Sequence, residues 1–256
     1  MKNIKLTRDH IYKGNLILVN ANYPIVENKA NENISLIPFD IRYPDILMEY
    51  RAASVLSHLI SGLNGENDIV PVSGYRPLRE QEQIYLESLE ENGEEFTKKY
   101  VAFPNHSEHQ TGLAIDLAKK QDDIDFICPE FPHYGIYNDF RKRAPRYGFI
   151  ERYQKEKEDI TGISHEPWHF RYVGYPHSQI IYENGICLEE YIEEIRKYPL
   201  GDKSLIIDRD SQRVEIFYVP ILSSEDQRTI FLPDNSLYQI SGNNVDGCIV
   251  TLWREQ

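Results

Sequence analysis

Cysteine is scarce: the 256 residues hold three, and Cys128, Cys187 and Cys248 stand far apart with no CxxC spacing. An odd number at such distances supplies neither a disulfide framework nor a thiolate zinc knuckle, so buried free thiols are expected. Long apolar runs are missing too. None approaches the roughly 20 residues that cross a bilayer, so no transmembrane segment is expected. The opening residues lack the charged, apolar, then small-residue order of a secretory signal, and a cytoplasmic location is the expectation. Positive charge is in deficit, with 28 Lys and Arg against 41 Asp and Glu for a formal charge of -13. A surface of that sign repels phosphate backbones and anionic lipid, which sets nucleic-acid readers aside.

What is present is a chain with 41% hydrophobic residues, enough for a real core in one large domain or in one domain plus an appendage. The run at residues 16–20 is short and apolar, and is expected as a buried strand. Apolar residues at helical spacing from Ile46 to Leu59, with Pro44 suited to a first turn, predict a helix over 44–63. Residues 69–74 predict a strand ending in a turn, and Pro77 opens a second helix over 77–91. Further helices are expected at 133–146, 178–184 and 188–198, the last closed by Pro199 and Gly201. Beyond residue 203 the character changes to short apolar or alternating runs at 205–207, 214–219, 229–232 and 248–253. These predict a small antiparallel β appendage.

The chemistry concentrates in two segments dense in His, Asp and Glu. His165-Glu166-Pro167-Trp168-His169 matches the HExxH string of helical zinc proteases. Pro167 inside the string, and the alternation of Trp168 to Val173, point instead to a strand. On a strand His165 and His169 would share a face but stand about 13 Å apart, too far for one zinc. Partners for His169 stand upstream in Ser107-Glu108-His109-Gln110-Thr111-Gly112-Leu113-Ala114-Ile115-Asp116. His109, Asp116 and His169 together offer two imidazoles and a carboxylate with a position left open, a donor set suited to catalytic Zn2+. Glu166, three residues before His169, is left to act as general base.

Ser73-Gly74-Tyr75-Arg76, the segment from Ser107 to Asp116, and Glu166-Pro167-Trp168-His169-Phe170-Arg171-Tyr172 together resemble the three signature segments of zinc D-alanyl-D-alanine peptidases. The likeness is to the VanY carboxypeptidase and bifunctional VanXY types of vancomycin resistance, and it spans about residues 16–198. It implies a compact α+β zinc peptidase domain at 1–198, with a central antiparallel sheet and flanking helices, leaving 199–256 as the β-rich appendage. It also implies zinc on His109, Asp116 and His169, catalysis by Glu166, and Arg76 at the scissile carbonyl and its developing oxyanion. Ser107 and Gln81 match positions that contact the dipeptide end of the substrate. The implied substrate is the D-Ala-D-Ala dipeptide or a peptidoglycan precursor ending in it.

Two other readings stay open: an L,D-carboxypeptidase or endopeptidase of the same fold, and a zinc-stabilised cell-wall binding module. Binding alone requires neither Glu166 nor Arg76, which argues against the second. His106 is a candidate hydrogen-bond partner for the site. His10, His58, His133 and His177 have no partner pattern and read as ordinary surface or core residues.

Overall fold

A computed structural model describes residues 1–26, 34–209, 212–224 and 226–255. In chain order its first elements are β1 (Lys2–Thr7), β2 (Leu36–Asp40), β3 (Tyr43–Glu49), α1 (Tyr50–Ser61), β4 (Ile69–Ser73), α2 (Leu78–Asn92), α3 (Glu94–Tyr100) and β5 (Ala114–Lys119). There follow α4 (Gly135–Arg143), β6 (Phe149–Tyr153), α5 (Glu158–Thr161), β7 (Glu166–Tyr172), α6 (His177–Asn184) and α7 (Leu188–Ile195). The last strands are β8 (Leu205–Arg209), β9 (Gln212–Pro220), β10 (Gln227–Leu232), β11 (Leu237–Gly242) and β12 (Gly247–Glu255).

These elements cluster into two compact units. The larger takes Val19–Ile25 and residues 34–187 and has the α+β character expected, with an antiparallel sheet in the order β4-β5-β7-β6 and the separate hairpin β2-β3. Alternation explains how β7 serves two purposes. Trp168 and Phe170 enter the apolar core with Leu56, Leu59, Ile115, Leu117, Phe140 and Phe149. The intervening His169 and Arg171 point to the opposite face, as the two-residue period of a strand requires. Polar groups on the central strands are thereby fixed by the packing of their neighbours.

The helix expected over 44–63 begins only at Tyr50, because residues 43–49 pair with β2. The Glu49 carboxylate is the true cap, accepting from the amides of Arg51 and Ala52 at 2.9 and 3.1 Å. The run at 16–20 is buried as expected but forms no strand. Its Leu16 amide donates to Ser241 Oγ and its Leu18 amide to the Asn243 carbonyl, so side-chain and loop acceptors replace a ladder.

The smaller unit consists chiefly of Met1–Leu18 and Leu188–Gln256. Strands β11-β12-β9-β8 form one antiparallel sheet, and β1 pairs with β10. Leu6 and Ile11 thus share a core with Phe217, Val219, Ile230, Val250 and Leu252. The sequence division near residue 198 followed a change in composition, whereas contacts group the first 18 residues with the C-terminal strands. All three cysteines are free thiols, with Cys187 and Cys248 buried and Cys128 half-buried.

Candidate active site

Asp116 on β5 lies directly opposite His169 on β7. Cross-strand partners project from the same face with Cβ atoms about 5 Å apart, so the pairing register itself brings the two side chains together. His169 Nδ1 stands 2.8 Å from Asp116 Oδ1. His109 arrives from outside the sheet, on the short turn Glu108–Thr111 that Gly112 closes in the left-handed region at φ 69°. A Cβ on Gly112 would come within 2.9 Å of Leu36 Cδ2, and the Glu49 amide donates to the Gly112 carbonyl at 2.8 Å. Glycine is therefore favoured there by its left-handed backbone and by the close Glu49 amide, 3.2 Å from an added Cβ, while the Leu36 methyl is a side-chain end that can shift.

His109 Nδ1 donates to the Gly74 carbonyl at 2.7 Å, which fixes the tautomer and turns Nε2 toward Asp116 Oδ2 at 3.1 Å. Burial, with Arg76 adding to it, pushes the His109 pKa down to about 4, so the ring is neutral near pH 7. Nε2 is then a buried lone pair without a hydrogen-bond partner among the described residues, facing a carboxylate oxygen. Two acceptors so apposed fit a shared cation. The donor atoms of His109, Asp116 and His169 lie within 4.8 Å of one another, and the three can hold a metal ion.

The remaining site residues expected from the sequence border the same pocket: Arg76, Gln81, Ser107 and Glu166. Arg76 Nη2 is 3.6 Å from Asp116 Oδ2, and its Nε is buried with no partner among the described residues. Gln81 donates through Nε2 to the Ala102 carbonyl at 2.7 Å, leaving a buried Oε1 without a partner among the described residues. Glu166 Oε2 lies 3.9 Å from His169 Nδ1, and burial, helped by Asp116, pushes the carboxyl up to about 8. His106 instead hydrogen-bonds the Asn20 carbonyl at 2.7 Å. His165 is not part of this cluster, since its Nε2 lies 3.4 Å from Glu151 Oε1 and its ring stacks on His133.

Sequence reasoning missed a buried charged triad behind the pocket. Glu108 accepts from Arg152 Nε at 2.8 Å, pairs with Arg171 Nη1 at 2.8 Å, and has its other oxygen 3.4 Å from His169 Nε2. Burial alone would raise the Glu108 pKa, but Arg171 and Arg152 hold it well below the usual carboxylate range. Burial also opposes charge on His169, yet hydrogen bonds to Asp116 and Glu108 outweigh it and carry that ring up to about 9. Charged, the His169 ring directs Nε2–H at Glu108 and Nδ1–H at Asp116; a metal bound at Nδ1 would have to displace that proton, leaving Nε2–H on Glu108 as the carboxylate–histidine relay that orients metal ligands. Arg171, two residues after His169 on the same face of β7, was the available signal.

Two imidazoles, three carboxylates and a guanidinium wall one pocket on an antiparallel sheet, a set that could hold a metal ion beside a buried carboxyl and a fixed cation. Residues 45–175 match the VanY family, D-alanyl-D-alanine carboxypeptidase, and the chain belongs to that family of peptidases. It is 45% identical over 177 residues to the bifunctional D-Ala-D-Ala dipeptidase and carboxypeptidase VanXYC of Enterococcus gallinarum, covering 69% of this chain and 92% of that protein. Among solved structures it resembles the vancomycin-resistance D,D-dipeptidase VanXYg in complex with a D-Ala-D-Ala phosphinate analog, at 55% identity and TM-score 0.95 over 99% of each chain. A mutant of the D,D-pentapeptidase VanY from the VanB-type resistance cassette, in complex with Zn(II), is 31% identical with TM-score 0.56, over 70% of this chain and 98% of that one. Among the described residues no helix is long and apolar enough to cross a membrane.

Proposed function

We propose that this chain is a zinc D,D-peptidase that hydrolyses the bond between two D-alanines, in the free dipeptide and at the C-terminus of cytoplasmic peptidoglycan precursors, and so contributes to vancomycin resistance. The observation that carries the reading is the convergence of His109, Asp116 and His169 with Glu166 and Arg76 on one pocket. Catalysis is assigned to the larger unit, which holds all of these residues.

His109 through Nε2, Asp116 through its carboxylate and His169 through Nδ1 are the ligands in this reading. When bound there, zinc supplies Lewis acidity that acidifies a water and polarises the scissile carbonyl. Glu166 is the base: it accepts a proton from the attacking water and returns it to the leaving amine, so no covalent intermediate is needed. Arg76, half-buried and held beside Asp116, directs a fixed guanidinium at the oxyanion that develops on the carbonyl. Its interaction grows as charge develops, so it acts on the barrier more than on binding. Ser107 and Gln81 border the pocket beside the ligands, where the terminal D-alanine is recognised. The unpartnered Gln81 Oε1 is an acceptor for substrate N–H.

Release of D-alanine from the dipeptide and from a stem pentapeptide tests the reading, with a stem tetrapeptide as the L,D control. Activity on the first two, abolished by chelation and restored by zinc, is expected. Cleavage of the tetrapeptide alone would replace it with an L,D-carboxypeptidase, and zinc binding without any cleavage with a binding module.

A further inference from the structure

A second group of metal-ligating side chains lies outside this pocket, and it includes the His165 that the HExxH string singled out. His133 precedes α4, Glu151 lies on β6, and His165 immediately precedes β7. Their donor atoms all lie within 4.8 Å of one another. We propose that His133, Glu151 and His165 form a second zinc site, weaker than the buried triad.

His165 Nε2 and Glu151 Oε1 are 3.4 Å apart, close to the ~3.3 Å that separates two ligands on a tetrahedral zinc with bonds of about 2.0–2.1 Å. His133 stacks on His165 with ring centroids 5.8 Å apart. Its exposure leaves the ring free to swing the remaining ångström or so inward. The carboxylate is held in place: Arg141 Nε donates to Glu151 Oε2 at 2.8 Å, leaving Oε1 directed at His165. Arg141 is anchored in turn by the carbonyls of Phe131 and Pro167 at 2.6 and 2.7 Å. A ligating carboxylate oriented by an outer hydrogen bond is a recurrent feature of built metal sites.

Two imidazoles and one carboxylate favour zinc over magnesium or calcium, which require oxygen-rich shells. The three residues border an open cleft of about 530 Å³, so water can complete the coordination. The positive charge of Arg141 and partial exposure both lower affinity relative to the buried triad. Occupancy would tie β6 and the start of α4 to the residue just ahead of Glu166, joining a free-zinc signal to the strand that carries the base. That consequence rests on the proposed function, whereas the site itself does not.

The test is zinc titration of the full-length one-zinc enzyme, by calorimetry and by thermal melting. Expected is one further zinc per chain, with Tm rising as it binds. In His133→Ala and His165→Ala this second class should weaken about tenfold or more while the first zinc and basal turnover remain. Wild-type protein that takes up only one zinc in millimolar metal would overturn the proposal. So would an unweakened second class in the exposed variant His133→Ala, which decides the matter if His165→Ala misfolds. An enzyme inactive on D-Ala-D-Ala that still showed the His133-dependent second zinc would overturn the functional reading alone.

Discussion

Burial acts in opposite directions on two groups that share the pocket, pushing Glu166 up to about 8 and His109 down to about 4. Both shifts suit their assigned roles, since a neutral imidazole can ligate and a raised carboxyl is a stronger base. Glu166→Gln should keep its zinc and its melting temperature while kcat falls at least about a hundredfold. Normal turnover in a folded variant would remove Glu166 from the mechanism. A base must be ionised to accept a proton, so kcat/KM should rise with pH along an acid limb set by Glu166. Bound zinc, a nearby opposite charge, places that limb below 8. An activity that rises as pH falls through this range would contradict the assignment. Glu108 stands 3.4 Å from His169 Nε2, and in the proposed mechanism it acts through that ring. Glu108→Gln should weaken zinc binding by about 10–100-fold and cost about 3–5 kcal/mol of stability, since Arg152 and Arg171 lose a buried counter-charge. Equilibrium metal competition and urea unfolding read the two effects separately, and unchanged zinc affinity would assign Glu108 to structure alone.

At the scale of elements, the site depends on one register and one turn. The β5–β7 register sets Asp116 against His169, and the Gly112 turn delivers His109. Gly112→Ala should cost roughly 1–2 kcal/mol for the left-handed conformation alone, with more from the Leu36 contact at 2.9 Å. It should also loosen zinc, because the turn that carries His109 must shift. A variant with wild-type Tm and zinc affinity would show that the turn tolerates a side chain. These same elements explain what could be read in advance. β7 was legible because Pro167 and the alternating aromatics disfavour a helix, and the same reading set His165 apart from His109, Asp116 and His169, as the structure does. Residues 43–49 were not, because Pro44, Ile46 and Leu47 suit a first helical turn as well as a strand. Their pairing with β2 is a tertiary fact that spacing does not encode. β1, β2, β6 and β11 passed unread, and with β6 went Arg152. A buried charge triad is invisible until the strands that bury it are placed.

The whole molecule joins its two ends in one unit, since β1 pairs with β10 and Leu6 and Ile11 share a core with the last strands. A cut after Tyr198 therefore removes the partners of β1 and uncovers the apolar face of α7, formed by Leu188, Tyr191, Ile192 and Ile195. The fragment 19–187 should remain soluble and bind zinc, while 1–198 should aggregate; gel filtration with metal analysis distinguishes them. The reverse outcome would place the working boundary near residue 198 instead. The three side chains that the sequence singles out as ligands do converge, and everything proposed about catalysis depends on their holding the metal. Anomalous diffraction at the zinc edge, from crystals of enzyme shown to release D-alanine, tests it directly. The account predicts a strong peak about 2.0–2.2 Å from His109 Nε2, an Asp116 carboxylate oxygen and His169 Nδ1. An active enzyme with no peak among those three atoms would contradict it.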